Sequence, residues 1–295
     1  MPETRRRAIN LVAVPYDSGQ RETRMGRGPG ALLSGGLEVA LRAPGGEVFT
    51  EVVEAAGSFL TENATAFELM SLVSGRVREA AVSGYFPLVL SGNCNASAGT
   101  VAGLLPYQVG VVWFDGHADF NTPDTTRSAY LDGMGLAVLT GGCWKGAAST
   151  IPGFEPIPEE NMILVGTRDI GREEQERLDR SGLTVVGPGA ISERGVREAL
   201  CGPLDALRTR TDSVYAHLDL DVLDPALVAP ANSLAPPGGL AVDDVALATQ
   251  HVAERFTIAA AGIASYDPSS DEDGRVLRAG IALERELTGG ASRLR

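Results

Sequence analysis

The run Val109-Gly110-Val111-Val112-Trp113-Phe114, followed at once by Asp115-Gly116-His117-Ala118-Asp119, decides how this chain is read. The first half has no charged side chain. It suits a strand covered on both faces, as in parallel sheets flanked by helices. The second half switches abruptly to carboxylates and an imidazole. In open parallel sheets, ligands bind beyond the carboxyl ends of the strands. Chemistry is therefore expected at this junction.

Working outward, the same grammar recurs. A strand is expected at 214–219, whose run 214–218 leads into Asp219-Leu220-Asp221, with Asp224-Pro225 close behind. Residues 87–90 run into Ser91-Gly92-Asn93-Cys94-Asn95. Further strands are expected at 9–14, 49–53, 162–165, 183–186 and 257–264. Between them lie helical patterns: Ala66, Met70, Val73, Val77 and Ala81 recur at helical spacing, and residues 172–180, 195–209 and 242–255 also read as helices. Irregular stretches are expected at 15–30, 116–131, 144–160 and 223–241. Alternation along the whole length, without repeat or linker, predicts one doubly wound α/β domain over residues 1–295.

Composition narrows the function. The net charge of −13 argues against nucleic acid, whose phosphates need a basic face. Arg5, Arg6 and Arg7, the only tight basic run, read as a solvated tail. No apolar run approaches the roughly 18 residues needed to cross a bilayer, and the apolar stretch ending at Val14-Pro15 is too short for a secretory signal. Three widely spaced cysteines, Cys94, Cys143 and Cys201, argue against a disulfide framework and for a reducing cytoplasm.

In an extended segment, residues two apart share a face. Asp115, His117 and Asp119 are thus three metal-ligand types able to point one way, and Asp219 with Asp221 repeats the pattern. Four converging carboxylates repel one another unless cations neutralise them. Two divalent ions supply that charge, and carboxylates with an imidazole suit manganese. Such a pair makes hydroxide available near neutral pH.

Together these segments resemble the metal motifs of the arginase–agmatinase (ureohydrolase) family, binuclear manganese enzymes with a three-layer α/β/α sandwich around a mostly parallel sheet. The resemblance covers most of the chain, from Gly26-Arg27-Gly28-Pro29 to Tyr266-Asp267-Pro268. The two aspartate-rich motifs together are specific; the Gly-Pro motif is weak. The resemblance implies that Asp115 and Asp219 bridge two Mn(2+) ions, that Asp119 completes the first site, and that His117 and Asp221 complete the second. The family's remaining ligand is a histidine of a Gly-Gly-Asp-His motif. Here Ser91-Gly92-Asn93-Cys94 places Cys94 at that position. Cys94 either ligates, adding a softer, negatively charged donor, or packs as a small buried residue.

The loop Phe120-Asn121-Thr122-Pro123-Asp124-Thr125-Thr126-Arg127-Ser128 is similar to that of arginases more than agmatinases. The likeness implies that Asn121 and Ser128 bind an amino-acid carboxylate. Glu174 matches a family glutamate near the substrate amine. On the residues alone, Asn121 and Ser128 also suit a turn, and Glu174 a solvated helix face. Three departures stand out. Asp132, before Gly133, replaces the family's proton-shuttling histidine; Ser265 replaces its guanidinium-pairing glutamate; Gly171 replaces an aspartate near the amine. A buried cation needs a fixed anion, so Ser265 favours a less basic guanidine. These substitutions, with Cys94, resemble the branch that hydrolyses Nω-hydroxy-L-arginine to hydroxyurea and L-ornithine. Asp132 reads either as a substitute acid of raised pKa or as a helix N-cap.

His217 shares the expected face of Asp219 and reads either as a donor to a carboxylate ligand or as a core histidine. His251, Trp113, Cys143 and Cys201 read as structural. Competing functions are arginase, agmatinase or another guanidino- or formimino-acid hydrolase and, in a different class, a metal-binding scaffold without catalysis. The resemblance also raises a homo-oligomer, since ureohydrolases often form trimers or hexamers.

Overall fold

A computed structural model describes residues 8–42, 47–104 and 109–291. The basic run Arg5–Arg7 lies outside the described residues. The strands are β1 (Ile9–Val14), β2 (Tyr16–Asp17), β3 (Gln20–Arg21), β4 (Val48–Val52), β5 (Phe86–Ser91), β6 (Gly110–Phe114), β7 (Met162–Val165), β8 (Thr184–Val186), β9 (Ser213–Asp219) and β10 (Thr257–Ala264). Eight of them form one sheet in the order β4-β1-β5-β10-β9-β6-β7-β8. Every pairing in it is parallel. β2 and β3 make a separate antiparallel hairpin.

The near-continuous apolar strands follow from burial on both faces. Successive side chains alternate between the two sides. Leu88, Leu90, Val112, Phe114, Val214, Ala216 and Leu218 enter one core. Val89, Val111, Trp113 and Tyr215 enter the other. Helices Gly28–Ser34, Val196–Arg208, Val242–Ala253 and Arg275–Ala291 cover the first face through Leu32, Leu200, Val245 and Leu283. Helices Glu62–Val82, Ser97–Gly103 and Gly135–Leu139 cover the second through Met70, Val101 and Leu136. The result is the expected three-layer α/β/α arrangement. Burying one such aliphatic side chain contributes roughly 1.5–3 kcal/mol, so the two cores hold the sheet against its helices and fix where its strand ends lie. No described helix is long and apolar enough to cross a membrane.

All eight expected strands appear, shifted by at most a residue or two. Helix Glu62–Val82 starts where Thr61 Oγ1 accepts the Ala64 N–H at 3.1 Å, an N-cap. The stretch 15–30, expected to be irregular, instead holds the β2–β3 hairpin and the start of helix Gly28–Ser34. The short helices Ser97–Gly103 and Gly135–Leu139 and the long C-terminal Arg275–Ala291 lie outside the expected set.

Two glycines are dictated by close approach. A Cβ on Gly28 would collide with the Tyr266 carbonyl, and one on Gly92 with the Tyr16 carbonyl. The weak Gly-Pro motif therefore packs against the Tyr266-Asp267-Pro268 segment, and Gly92 lets the chain turn toward Cys94.

Candidate metal centre and its cleft

The carboxyl ends of β5, β6, β9 and β10 sit side by side in the sheet and deliver the candidate residues to one place. After β6, Asp115 is fully buried. Its Oδ1 accepts the His117 N–H at 2.7 Å and its Oδ2 accepts Trp113 Nε1–H at 2.9 Å. The His117 ring follows, with Nδ1 3.1 Å from Asp221 Oδ2 and 3.6 Å from Asp115 Oδ1. Asp221 Oδ1 accepts the Gly116 N–H at 3.0 Å. The Asp221 N–H in turn donates to Asp219 Oδ1 at 2.8 Å. Cys94 Sγ–H donates to Asp219 Oδ2 at 2.9 Å and lies 3.3 Å from Ser265 Oγ.

Asp119 arrives by a sharper bend. Its φ of 49° is left-handed, a region that aspartate tolerates better than bulky residues. Its carbonyl accepts the N–H groups of Leu136 and Ala137 at 2.9 and 3.2 Å, which pins the bend to helix Gly135–Leu139. Its Oδ2 is buried without a hydrogen-bond partner among the described residues. Ser265, with φ 64°, is held in place by Asn232 Nδ2–H, which donates to its carbonyl at 2.7 Å.

Electrostatics set these carboxylates apart from surface ones. Burial, with neighbouring Asp115 and Asp132, pushes Asp119 well above the usual carboxylate range. Burial, with Asp221 and Asp115, does the same to Asp219. Burial and Asp221 raise Asp115 to about 6. Asp221 is also desolvated, but the His117 imidazole outweighs that and holds it below the usual value. Burial opposes charge on His117, yet Asp221 and Asp115 keep that ring well above the ordinary histidine range. Burial, then Asp219, lifts the Cys94 thiol. Like charges about 4 Å apart repel by on the order of 4 kcal/mol at an effective dielectric of about 20. One imidazolium cannot offset four such carboxylates. Carboxylate oxygens, imidazole and a thiol, with the partnerless Asp119 Oδ2 among them, suit divalent cations as a donor set.

The cleft above has a volume of about 330 Å³ and is lined by every candidate ligand and substrate-binding residue except Asp115, which is fully buried; buried His217 is also outside the lining. Asn121 Oδ1 accepts from Thr125 Oγ1–H at 3.0 Å. Ser128 is on the exposed rim, its Oγ accepting the Tyr130 N–H at 3.2 Å. Glu174 is buried rather than solvated. Its Oε1 accepts the Phe120 N–H at 2.9 Å and its Oε2 the Gly171 N–H at 3.4 Å, so it ties the rim loop to helix Arg172–Leu178.

Asp132 is not the helix N-cap that was one of its two expected readings. Its Oδ1 accepts the Asn95 N–H at 3.0 Å and its Oδ2 accepts Asn93 Nδ2–H at 2.8 Å. Burial still raises it to about 8. Sequence reasoning missed the residues that hold the site: Asn93, Asn232, and Tyr130, whose hydroxyl donates to buried Asp17 at 2.9 Å. It also missed Asp169 on the cleft wall, with Oδ2 4.0 Å from His117 Nε2. Asp169 follows the carboxyl end of β7, so the rule that found Asp115 applies to it too. His251 is buried at Glu254, Arg197 and Arg255, away from the cleft. The three cysteines are all free.

With this geometry in place, comparison with known proteins is informative. The profile of the arginase family matches residues 7–289. The arginase of Bacillus caldovelox is 29% identical over 295 residues, covering 95% of this chain and 98% of that one. The arginase of Agrobacterium fabrum is 29% identical, covering 97% and 92%. The crystal structure of Bacillus subtilis arginase superposes with a TM-score of 0.88 at 26% identity, covering 96% of this chain and 99% of that one.

Proposed function

The chain belongs to the arginase family of hydrolases that cut C–N bonds of linear amidines, and from that premise we propose that it hydrolyses Nω-hydroxy-L-arginine to hydroxyurea and L-ornithine. The observation that carries the choice is the contact between Cys94 Sγ and Ser265 Oγ at 3.3 Å. At this point of the floor Ser265 offers a hydroxyl where the family carries a carboxylate, and the neighbouring Asp219, bonded to Cys94 at 2.9 Å, is in our reading taken up by the ions. A guanidinium buried there lacks a fixed anion to offset its desolvation. An N-hydroxyguanidine is less basic, because its oxygen withdraws electrons, and so gives up its charge on burial at a smaller cost.

The family is binuclear-metal dependent. In our reading Asp115, Asp119, His117, Asp219, Asp221 and Cys94 hold the two ions, with manganese favoured by the carboxylate majority. When bound, the ions supply hydroxide from water near neutral pH and stabilise the negative charge that grows during attack. The protein's own groups do the rest. Asn121 and Ser128 hold the amino-acid carboxylate on the rim, and Glu174 fixes the loop that carries Asn121. Asp119, held by its backbone bonds to helix Gly135–Leu139, accepts a hydrogen bond from the attacking oxygen. Hydroxide would add to the guanidino carbon and its proton would pass to the amidine nitrogen; as the C–N bond to the side-chain nitrogen breaks, the oxygen becomes the carbonyl of hydroxyurea and that nitrogen takes a proton from Asp132 to leave as the ornithine amine. An acid raised to about 8 is still largely protonated at neutral pH, as that donor must be.

The test is turnover of Nω-hydroxy-L-arginine, L-arginine and agmatine by Mn(2+)-loaded protein, with product identification and metal analysis. We expect the hydroxylated substrate to lead by at least tenfold in kcat/KM. L-Arginine cleaved much faster than its hydroxy derivative would refute the substrate.

A further inference from the structure

His217 sits on β9 two residues before Asp219 and is almost wholly buried. Its ring is fixed on two sides. Trp113 stacks against it with centroids 3.8 Å apart. Its Nδ1 is bonded to two hydroxyls, Ser97 Oγ at 3.0 Å and Tyr215 OH at 3.1 Å. The other nitrogen, Nε2, is buried with no hydrogen-bond partner among the described residues. A neutral imidazole has one N–H and one lone pair to satisfy, and leaving either buried and unpaired costs about 1–3 kcal/mol. A core histidine has no reason to be so precisely oriented and half unsatisfied.

The free nitrogen has a specific neighbourhood. A ring nitrogen of His217, the Cys94 Sγ and an Asp115 carboxylate oxygen all lie within 4.8 Å of one another. Because Nδ1 is engaged, Nε2 is the nitrogen with capacity to spare. Three donors spaced so closely fit around one cation after small adjustment, since metal–nitrogen and metal–sulfur bonds are about 2.0–2.3 Å. A histidine that ligates through one nitrogen almost always bonds through the other to a fixed partner. The Ser97–Tyr215 pair, itself joined at 2.8 Å, is such a partner, and by accepting an Nδ1 proton it would leave the Nε2 lone pair free.

We propose that His217 Nε2 is a ligand of the ion on the Cys94 side of the centre. The nitrogen donor that Cys94 cannot supply thus comes from β9 instead. Thiolate and imidazole then meet on one ion while the other keeps His117 and carboxylates, so the two positions differ in softness and in the metal each prefers. This inference rests on the binuclear reading above.

The chain has three histidines, His117, His217 and His251, and His251 lies elsewhere in the fold, so an imidazole count at the metal is decisive. Protein carrying 15N-histidine is loaded with Mn(2+) and examined by pulsed EPR, with metal content measured after desalting. We expect hyperfine coupling from two imidazoles and two ions per chain. H217N keeps an amide where Nδ1 bonds the hydroxyls but removes Nε2. It should lose one imidazole coupling and weaken one ion by about 10–100-fold. H217Q, which reaches the Nε2 position, should recover part of the affinity. Wild-type protein with two ions and a single imidazole coupling overturns the inference and leaves the binuclear reading standing. So does an H217N variant that matches wild type in couplings and affinity. Wild-type protein that takes up no divalent ion overturns both.

Discussion

Trp113 and His217 face each other across the β6–β9 pairing with rings 28° from parallel, and the same indole donates to Asp115. One side chain therefore couples the two strands that carry most of the acidic centre. Asp115 has no freedom to swing while its Oδ2 is held at 2.9 Å by the indole N–H.

Trp113→Phe preserves an aromatic face against His217 but deletes that N–H. Losing a hydrogen bond to a carboxylate proposed to ligate should weaken divalent-ion affinity about tenfold or more and cost roughly 1–3 kcal/mol of stability. Isothermal titration with Mn(2+), together with thermal unfolding, checks both. Unchanged affinity would show that Asp115 is placed without Trp113.

Selectivity should turn on Ser265. Ser265→Glu restores an anion beside Cys94 and should raise the ratio of kcat/KM for L-arginine over Nω-hydroxy-L-arginine by about tenfold, corresponding to about 1.4 kcal/mol. The left-handed backbone at this position costs a long side chain some stability, so Ser265→Asp serves as the milder companion. Neither variant changing the ratio would separate substrate choice from this residue.

Asp132 supplies a pH signature. Burial raises its carboxyl to about 8, and a donor must be protonated to act. Activity should fall as pH rises through that value, because the ionised form accumulates. Asp132→Asn should lower kcat by about 10²–10⁴-fold, the usual worth of a placed acid, and remove the alkaline limb of the profile. A variant that keeps the limb assigns the titration to another group.

Glu284 offers a stability test at a residue that does not line the cleft. It lies fully buried on helix Arg275–Ala291, neither oxygen has a hydrogen-bond partner among the described residues, and burial raises it to about 8. With its folded value above its unfolded one, the folded state favours the protonated form. The stability it allows is complete below the unfolded carboxylate range and is lost as pH rises from there through about 8. Glu284→Leu should thus stabilise the protein, by on the order of 3 kcal/mol at pH 7, with little gain at pH 4. Melting curves across that range decide it; an equal gain at both ends would point to packing alone.

The strands were legible because burial on two faces leaves an uninterrupted apolar run, and the acidic junctions because a carboxylate straight after such a run is conspicuous. Helix Ser97–Gly103 was not, since its Ser-Ala-Gly-Thr composition has no apolar stripe; it packs by closeness, with Gly99 against the Met70 backbone. Helix Arg275–Ala291 was readable in principle from Val276, Leu283 and Leu287. The site's supports are a different matter. Asn93 and Asn232 act through contacts with residues far along the chain, Asp132 and Ser265 respectively, and nothing local in the sequence announces such pairings. Glu174 was placed near the cleft by resemblance, yet its hydrogen bonds to backbone N–H groups become visible only in three dimensions.

Every residue assigned to hold an ion leaves the sheet at, or within a few positions of, a strand terminus, whereas Asn121 and Ser128 belong to the segment between β6 and helix Gly135–Leu139. On the proposed roles, grip on the amino-acid end of the substrate is thus separable from hydrolytic power, while Ser265, directly after β10, keeps the choice of guanidine on the floor. Exchange of that one rim loop should then alter which amino-acid end is held while the floor, anchored in the sheet, is passed on unaltered.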